Sequence, residues 1–211
     1  MRRTGMTLAA ITAAVTMAGG VVLAQNQRPM SPRGTAATQV GGSWTTGDEP
    51  QYQNGKWIEI DYGRPIKRGR ENLFGSGADY GKTLNAGAPV WRAGANQSTR
   101  LKTEVPLTLG GKQVPAGDYA IFIDLKPGNW TLIVSNWATQ KTYDPKNKTE
   151  LWGSYDYTPD KDVVRVPMKV DKLPFSMDQL TWSFLDMTDA GGRLAIMWDD
   201  TIGSVPFTVA K

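Results

Sequence analysis

Arg64, Lys67, Arg68 and Arg70 crowd into one short stretch, Tyr62-Gly63-Arg64-Pro65-Ile66-Lys67-Arg68-Gly69-Arg70. A guanidinium fork can grip a carboxylate, sulfate or phosphate through two parallel hydrogen bonds. These cations are too close together to share one regular face, and Gly63, Pro65 and Gly69 imply a loop. An internal carboxylate such as Glu71 or Asp79 would instead pair with Arg64 and Arg70 and make the cluster structural. A second stretch, Trp91-Arg92-Ala93-Gly94-Ala95-Asn96-Gln97-Ser98-Thr99, sets an aromatic, a fixed cation and an amide among small residues. In a strand, Trp91 and Arg92 face opposite sides. Trp91 then enters the core and Arg92 reaches the loop face, where Gly94 allows close backbone approach and Asn96 tolerates turn geometry. Side by side, the two stretches would turn Arg64, Lys67, Arg70, Arg92, Asn96 and Thr99 toward one concavity that accepts an anionic small molecule or glycan. The competing role for Arg92 is to tie down loop carbonyls while Asn96 caps a turn.

The chain has no histidine and no cysteine. That removes the usual general base, the usual partner of a serine nucleophile, thiolate chemistry and disulfides. Catalysis would have to run on carboxylates, Lys, Tyr, Ser or Arg. A glycan hydrolase needs two carboxyl groups about 5–10 Å apart. Glu59, Asp61, Glu104, Asp124, Asp199 and Asp200 are the available pool. Asp156, Asp160 and Asp162 carry oxygen ligands, but their spacing fits no calcium loop and reads as a solvated turn. No metal or cofactor is expected. Trp130, Trp182 and Trp198 sit in apolar strand patterns and read as core, whereas Trp137 and Trp152 flank polar loops and are the candidates for an exposed aromatic.

The start of the chain speaks to location. Met1-Arg2-Arg3 precedes an apolar, small-residue run from Met6 to Ala24 that ends Val22-Leu23-Ala24. A basic start, a short apolar stretch and a small-residue end make a secretory signal, residues 1–24, with cleavage after Ala24. The run is diluted by Thr7, Thr12, Thr16, Gly19 and Gly20, which disfavours a retained anchor, so no membrane insertion is expected after cleavage. Without Arg2 and Arg3, 22 basic residues face 20 acidic ones. That balance is too mild to argue for nucleic acid.

The elements that must position these residues are strands. Residues 25–56 are rich in Gln, Gly, Ser, Thr and Pro and read as a flexible leader in which Trp44 and Tyr52 pack only locally. From residue 57 to 211 apolar residues alternate: Ile58 and Ile60, then Leu101, Thr103 and Val105, then Leu180, Trp182 and Phe184. Gly110-Gly111, Pro115-Ala116-Gly117, Pro127-Gly128-Asn129 and Gly191-Gly192 supply turns between strands. Pro167 marks an edge or a bulge. Helical turns are expected only around Tyr143–Thr149 or Pro174–Asp178. The pattern predicts an all-β chain, one antiparallel β-sandwich domain with a barrel-like variant as the alternative.

Ordered blocks then carry a resemblance. Tyr62–Gly75, Val90–Leu101, Gly111–Phe122, Trp130–Asn136 and Trp152–Val166, followed by the closing strand pair with Trp198, resemble the DUF2911 family of exported bacterial proteins. The chain departs from that family at Gly81–Ala88 and at Gln97-Ser98, both beside the candidate site. The resemblance implies a bacterial envelope setting, periplasmic or extracellular, and a β-rich fold; it implies no reaction. The reading that follows is an exported, non-catalytic binding module for an acidic or sugar-containing ligand. A carboxylate-dependent glycan hydrolase and a structural assembly partner remain open as alternatives.

Overall fold

The computed structural model describes residues 30–209. The expected signal segment, 1–24, lies outside the described residues. So do residues 25–29 of the expected leader.

The chain runs β1 (Arg33–Val40), β2 (Ser43–Trp44), β3 (Tyr52–Gln53) and β4 (Lys56–Gly63). A long loop follows, holding a single helical turn, α1 (Lys82–Asn85). Then come β5 (Thr99–Thr103), β6 (Leu107–Leu109), β7 (Lys112–Val114), β8 (Gly117–Asp124) and β9 (Thr131–Ser135). The chain closes with β10 (Asp162–Pro167), β11 (Lys169–Thr188) and β12 (Gly191–Val209). Six strands form one antiparallel sheet in the order β1-β4-β5-β8-β9-β10, and four form a second in the order β11-β12-β6-β7. The result is the expected β-sandwich, and it does not close into a barrel.

Alternation decides which side chains enter the core. Ile58, Ile60 and Tyr62 on β4, Leu101 on β5 and Ile121 and Ile123 on β8 all point inward and are buried. They meet Leu180, Trp182, Leu194, Ile196 and Trp198 of the second sheet. Trp130, Trp182 and Trp198 are core residues, as their patterns predict, and each indole N–H is satisfied. Trp130 donates to the Tyr80 hydroxyl, Trp182 to the Ala93 carbonyl and Trp198 to the Asp178 carbonyl. Burying an indole without such a partner would forfeit part of its apolar gain. The other face of β8 and β9 is also covered. Ala120, Phe122 and Ile133 pack there under Leu151 and Tyr157.

Local chemistry explains the turns. Gly110 and Gly111 both take positive φ, 56° and 78°, which is the two-residue turn that twists in step with its strands. Pro167 lies on β10, an edge strand, where its missing N–H costs no ladder bond.

Two expectations are corrected. The leader is not flexible over its described part. All eight residues of β1 pair with β4, from Arg33 opposite Gly63 to Val40 opposite Lys56, so the sandwich begins at Arg33 and not at residue 57. Its composition hides this because β1 is an edge strand that buries only Val40 fully and packs Ala36 on the core. Trp44 and Tyr52 do pack on each other, across the small β2–β3 ladder. The helical turns also fall elsewhere, at Gly77–Asp79, Lys82–Asn85 and Pro159–Lys161. In Tyr143–Thr149 the side chains of Asp144 and Asn147 capture the nearby N–H groups of Lys146, Thr149 and Glu150, which competes with helix. Pro174–Asp178 is part of β11.

Candidate functional site

The six residues singled out by sequence divide into two groups, on either side of Gly63. Arg92, Asn96 and Thr99 hold the loop 93–98 in shape. Arg92 is only 9% exposed and donates to the Asn96 carbonyl at 2.7 Å. Its guanidinium lies against Gly153, where any Cβ would strike it, and under the Tyr155 ring at 5.0 Å. Asn96 takes φ 64°, the turn geometry expected of it, and donates its amide to the Ser31 carbonyl. Thr99 is buried and donates to the Ala93 carbonyl, which Trp182 also engages. Those two bonds hold Ala93 at φ 51°, a backbone region that costs a residue with a Cβ about 1–2 kcal/mol. The role of tying down loop carbonyls is therefore the one Arg92 fills.

Lys67 and Arg70 hold the other loop. Lys67 pairs with Asp199 at 2.5 Å and reaches Ser176 at 3.2 Å. Arg70 folds back on the carbonyls of Ile66 and Lys67 and lies over Trp198 at 5.4 Å. The loop backbone is stitched to β11 by Lys67 N–H to the Asp178 carbonyl and Leu180 N–H to the Pro65 carbonyl. Asp79, one carboxylate considered for the arginines, pairs with Lys82 instead. Arg64 lies flat across β1, where a Cβ on Gly34 would strike it, and its Nε is buried without a partner among the described residues. The two loops do approach closely, since a Cβ on Gly63 would strike the Ala95 carbonyl. Backbone fills the space between them, and none of the six side chains lines the clefts described next.

A cleft of about 500 Å³ lies on the outer face of the six-stranded sheet. Its lining includes Arg33, Asp61, Gln97, Arg100, Asp118, Thr139 and Lys141. Register explains why these residues meet. Asp61 of β4 stands opposite Arg100 of β5, and Asp118 of β8 stands opposite Lys102, one outward position from Arg100. Opposite charges on neighbouring strands stabilise such a face by tenths of a kcal/mol to about 1 kcal/mol per pair. Arg100 grips Asp118 through Nε at 3.1 Å and Nη2 at 2.7 Å, and its remaining nitrogen donates to Thr139. Both bonds from Arg100 to Asp118 fall on Oδ1. Asp61 likewise spends Oδ1, on the Thr35 hydroxyl at 2.6 Å and on Arg33 at 4.0 Å. Oδ2 of each carboxylate has no hydrogen-bond or ion-pair partner among the described residues. The Lys141 ammonium likewise has no ion-pair or hydrogen-bond partner among the described residues. The walls are stiff. Gln97 bridges Arg33 and the Lys141 carbonyl, and buried Gln140 binds the loop through the carbonyls of Asn147 and Glu150.

Sequence reasoning passed over most of this set. Arg33 fell in the expected leader, and Arg100 and Asp118 were not singled out. The available signal was the matched alternation of Glu59 and Asp61 with Arg100 and Lys102, which becomes informative only once β4 and β5 are known to be neighbours.

A second cleft, of about 480 Å³, is lined by Asp171, Lys172, Asp199, Asp200 and Tyr80 among others. It gathers two members of the carboxylate pool. The Lys67 hydrogen bond holds Asp199 below its ordinary value, and a Lys172 hydrogen bond at 2.6 Å does the same to Asp200. Both shifts favour the ionised form, whereas hydrolysis needs one carboxyl that keeps its proton. Of the other pool members, Glu104 accepts from the Trp57 N–H, Asp124 pairs with Arg165, and Asp61 lies in the cleft on the sheet face. Asp162 Oδ2 accepts from Tyr157 and pairs with Arg165, while its Oδ1 is buried without a partner among the described residues, and Asp160 accepts from Thr158. No group of three or more residues able to hold a metal ion occurs among the described residues. No helix among them is long and apolar enough to cross a membrane.

No curated protein and no solved structure matches the chain. A family model, described as a protein of unknown function (DUF2911), matches residues 46–207. That stretch reaches from just after β2 to near the end of β12 and takes in every strand of both sheets but β1, and the chain belongs to the DUF2911 family.

Proposed function

We propose that this protein is a non-catalytic binding module of the bacterial envelope, exported by its N-terminal segment, that holds an acidic sugar in the cleft on the outer face of the six-stranded sheet. The observation that carries the reading is the set of unspent groups on a rigid floor. Oδ2 of Asp61 and Oδ2 of Asp118 accept sugar hydroxyls, and the Lys141 ammonium receives the acid group. Three cations, Arg33, Arg100 and Lys141, outweigh two carboxylates in this lining. The excess suits a ligand with one negative charge. Asp61 and Asp118 are already held by Thr35, Arg33 and Arg100, so these two side chains lose little freedom on binding.

The test is calorimetric titration of the protein with a uronic acid and with the matching neutral hexose. The uronic acid binds and the hexose binds more weakly. Lys141→Ala weakens the acid about tenfold, the value of one hydrogen bond to a charged group. Asp118→Asn weakens both sugars. Equal affinity for the acid and the neutral sugar, or no effect of Lys141→Ala, would count against the reading.

A further inference from the structure

Where the β2–β3 ladder meets the tip of the β11–β12 hairpin, an open cleft of about 420 Å³ is lined by Gln39, Trp44, Tyr52, Met187, Thr188 and Asp189. Its chemistry is unlike that of the cleft on the sheet face. The lining holds one carboxylate and no cation. Trp44 is 68% exposed, and its ring meets the Tyr52 ring at 5.4 Å and 61°, so the two rings form a corner. Tyr52 is fixed: its hydroxyl accepts from the Gly42 N–H at 2.7 Å and donates to Asp189 Oδ1 at 2.9 Å. Asp189 has no ion-pair partner among the described residues, and its Oδ2 is unspent. Gln39 and Trp44 precede the stretch matched by the family model, so two of the six lining residues come from outside it.

The polar groups here are mostly consumed. The Thr188 hydroxyl donates to the Gly191 carbonyl and accepts from the Ala190 N–H, and the Tyr52 hydroxyl is doubly engaged. A neutral sugar needs several free donors and acceptors beside its stacking ring, and only the Gln39 amide, the Trp44 indole N–H and one carboxylate oxygen remain. An anion would meet Asp189. A cation whose charge is spread over alkyl groups needs no hydrogen bond; it needs aromatic faces and a nearby negative charge. We propose that this corner binds a soluble quaternary ammonium compound, with its alkylated nitrogen against Trp44 and Tyr52 and its charge opposed by Asp189. The Met187 thioether supplies a polarizable wall for the methyl groups. This site is separate from the acidic-sugar cleft and does not depend on it.

The experiment is titration of the full chain with choline, followed by the Trp44 indole N–H signal in a nitrogen-15 spectrum. Its neutral isostere, 3,3-dimethylbutanol, and glucose are run in parallel at matched ionic strength. Choline gives a saturable shift, the isostere binds at least about tenfold more weakly, and glucose gives none. The Trp44 variants, which lack the reporter indole, are titrated by calorimetry: Trp44→Ala weakens choline about tenfold, and Trp44→Phe weakens it less, in the order expected of cation–π strength. Asp189→Asn weakens choline while leaving the isostere unchanged. The indole signals of the core tryptophans Trp91, Trp130, Trp182 and Trp198 report that each variant is folded. Equal binding of choline and its isostere, a saturable glucose shift, or no shift with choline overturns the proposal.

Discussion

The Lys67 ammonium lies 2.5 Å from Asp199 Oδ1, joining residues 132 positions apart. It clips the loop after β4 onto β12, so the most cation-rich segment of the chain is held down by an internal carboxylate. Asp199 itself sits at φ 53°, a strained position for a residue with a Cβ, and its two hydrogen-bonded neighbours, Lys67 on the loop and Ser176 on β11, keep it there.

That pair sets a pH window. The Lys67 hydrogen bond lowers Asp199 from 3.8, against burial and with help from Ser176. The Asp199 hydrogen bond raises Lys67 from 10.5, against its own desolvation. A depressed carboxyl contributes stability above 3.8 and loses it as pH falls through the lowered value. A raised amine contributes below 10.5 and loses it as pH rises through the raised value. Asp199→Asn therefore lowers the melting temperature throughout the neutral range. The gap to the wild type closes in acid well below 3.8 and narrows in alkali above 10.5. Melting curves of the two proteins across pH measure this. A gap of constant size would assign the loss to packing.

Arg92 is a structural residue. Arg92→Ala leaves the Asn96 carbonyl without its donor and opens space beside Gly153, at a cost of about 2–3 kcal/mol. Arg92→Lys recovers only part of this, because lysine keeps the charge and loses the planar contact with Tyr155. Gly153→Ala costs at least about 1–2 kcal/mol for a Cβ at φ 65°, before its clash with the guanidinium is counted. Urea unfolding of the three variants gives the ranking. An Arg92→Lys variant as stable as wild type would show that the fork is not what matters.

Deleting residues 30–40 tests the corrected N-terminus. A flexible leader would be removable without effect. The loss of β1 instead bares the edge of β4 and uncovers Ile58 and Ile60 at that seam, for at least about 3 kcal/mol or a melting point lower by about 10 °C. The truncated protein also self-associates, because β4 then offers an unpaired strand edge. Scanning calorimetry and light scattering read both effects. An unchanged melting point would return β1 to the status of a tail.

What the amino-acid sequence determined alone is what short-range physics determines. Ile58/Ile60, Leu101/Thr103 and Leu180/Trp182 alternate because a strand turns successive side chains to opposite faces, and that period survives in any sheet order. Gly110-Gly111 is a turn because two successive positive φ angles are easy only for glycine. The two candidate loops were legible for the same reason: Gly63, Pro65, Gly94 and Asn96 are local signals, the first two where the chain leaves β4 and the last two in the loop ahead of β5. The tertiary structure decided everything that joins distant segments. Lys67 could have met a ligand or any of the acidic side chains; the packing of the loop against β12 gave it Asp199. Arg33 could have been part of a tail; pairing of β1 with β4 set it beside Asp61 and Gln97. Arg100 and Asp118 meet because β5 and β8 are neighbours, although β6 and β7, which lie between them in the chain, belong to the other sheet. A charge carries no record of its partner until the fold brings the two within hydrogen-bond reach. The unspent oxygens of Asp61 and Asp118, and the corner between Trp44 and Asp189, exist only at that level.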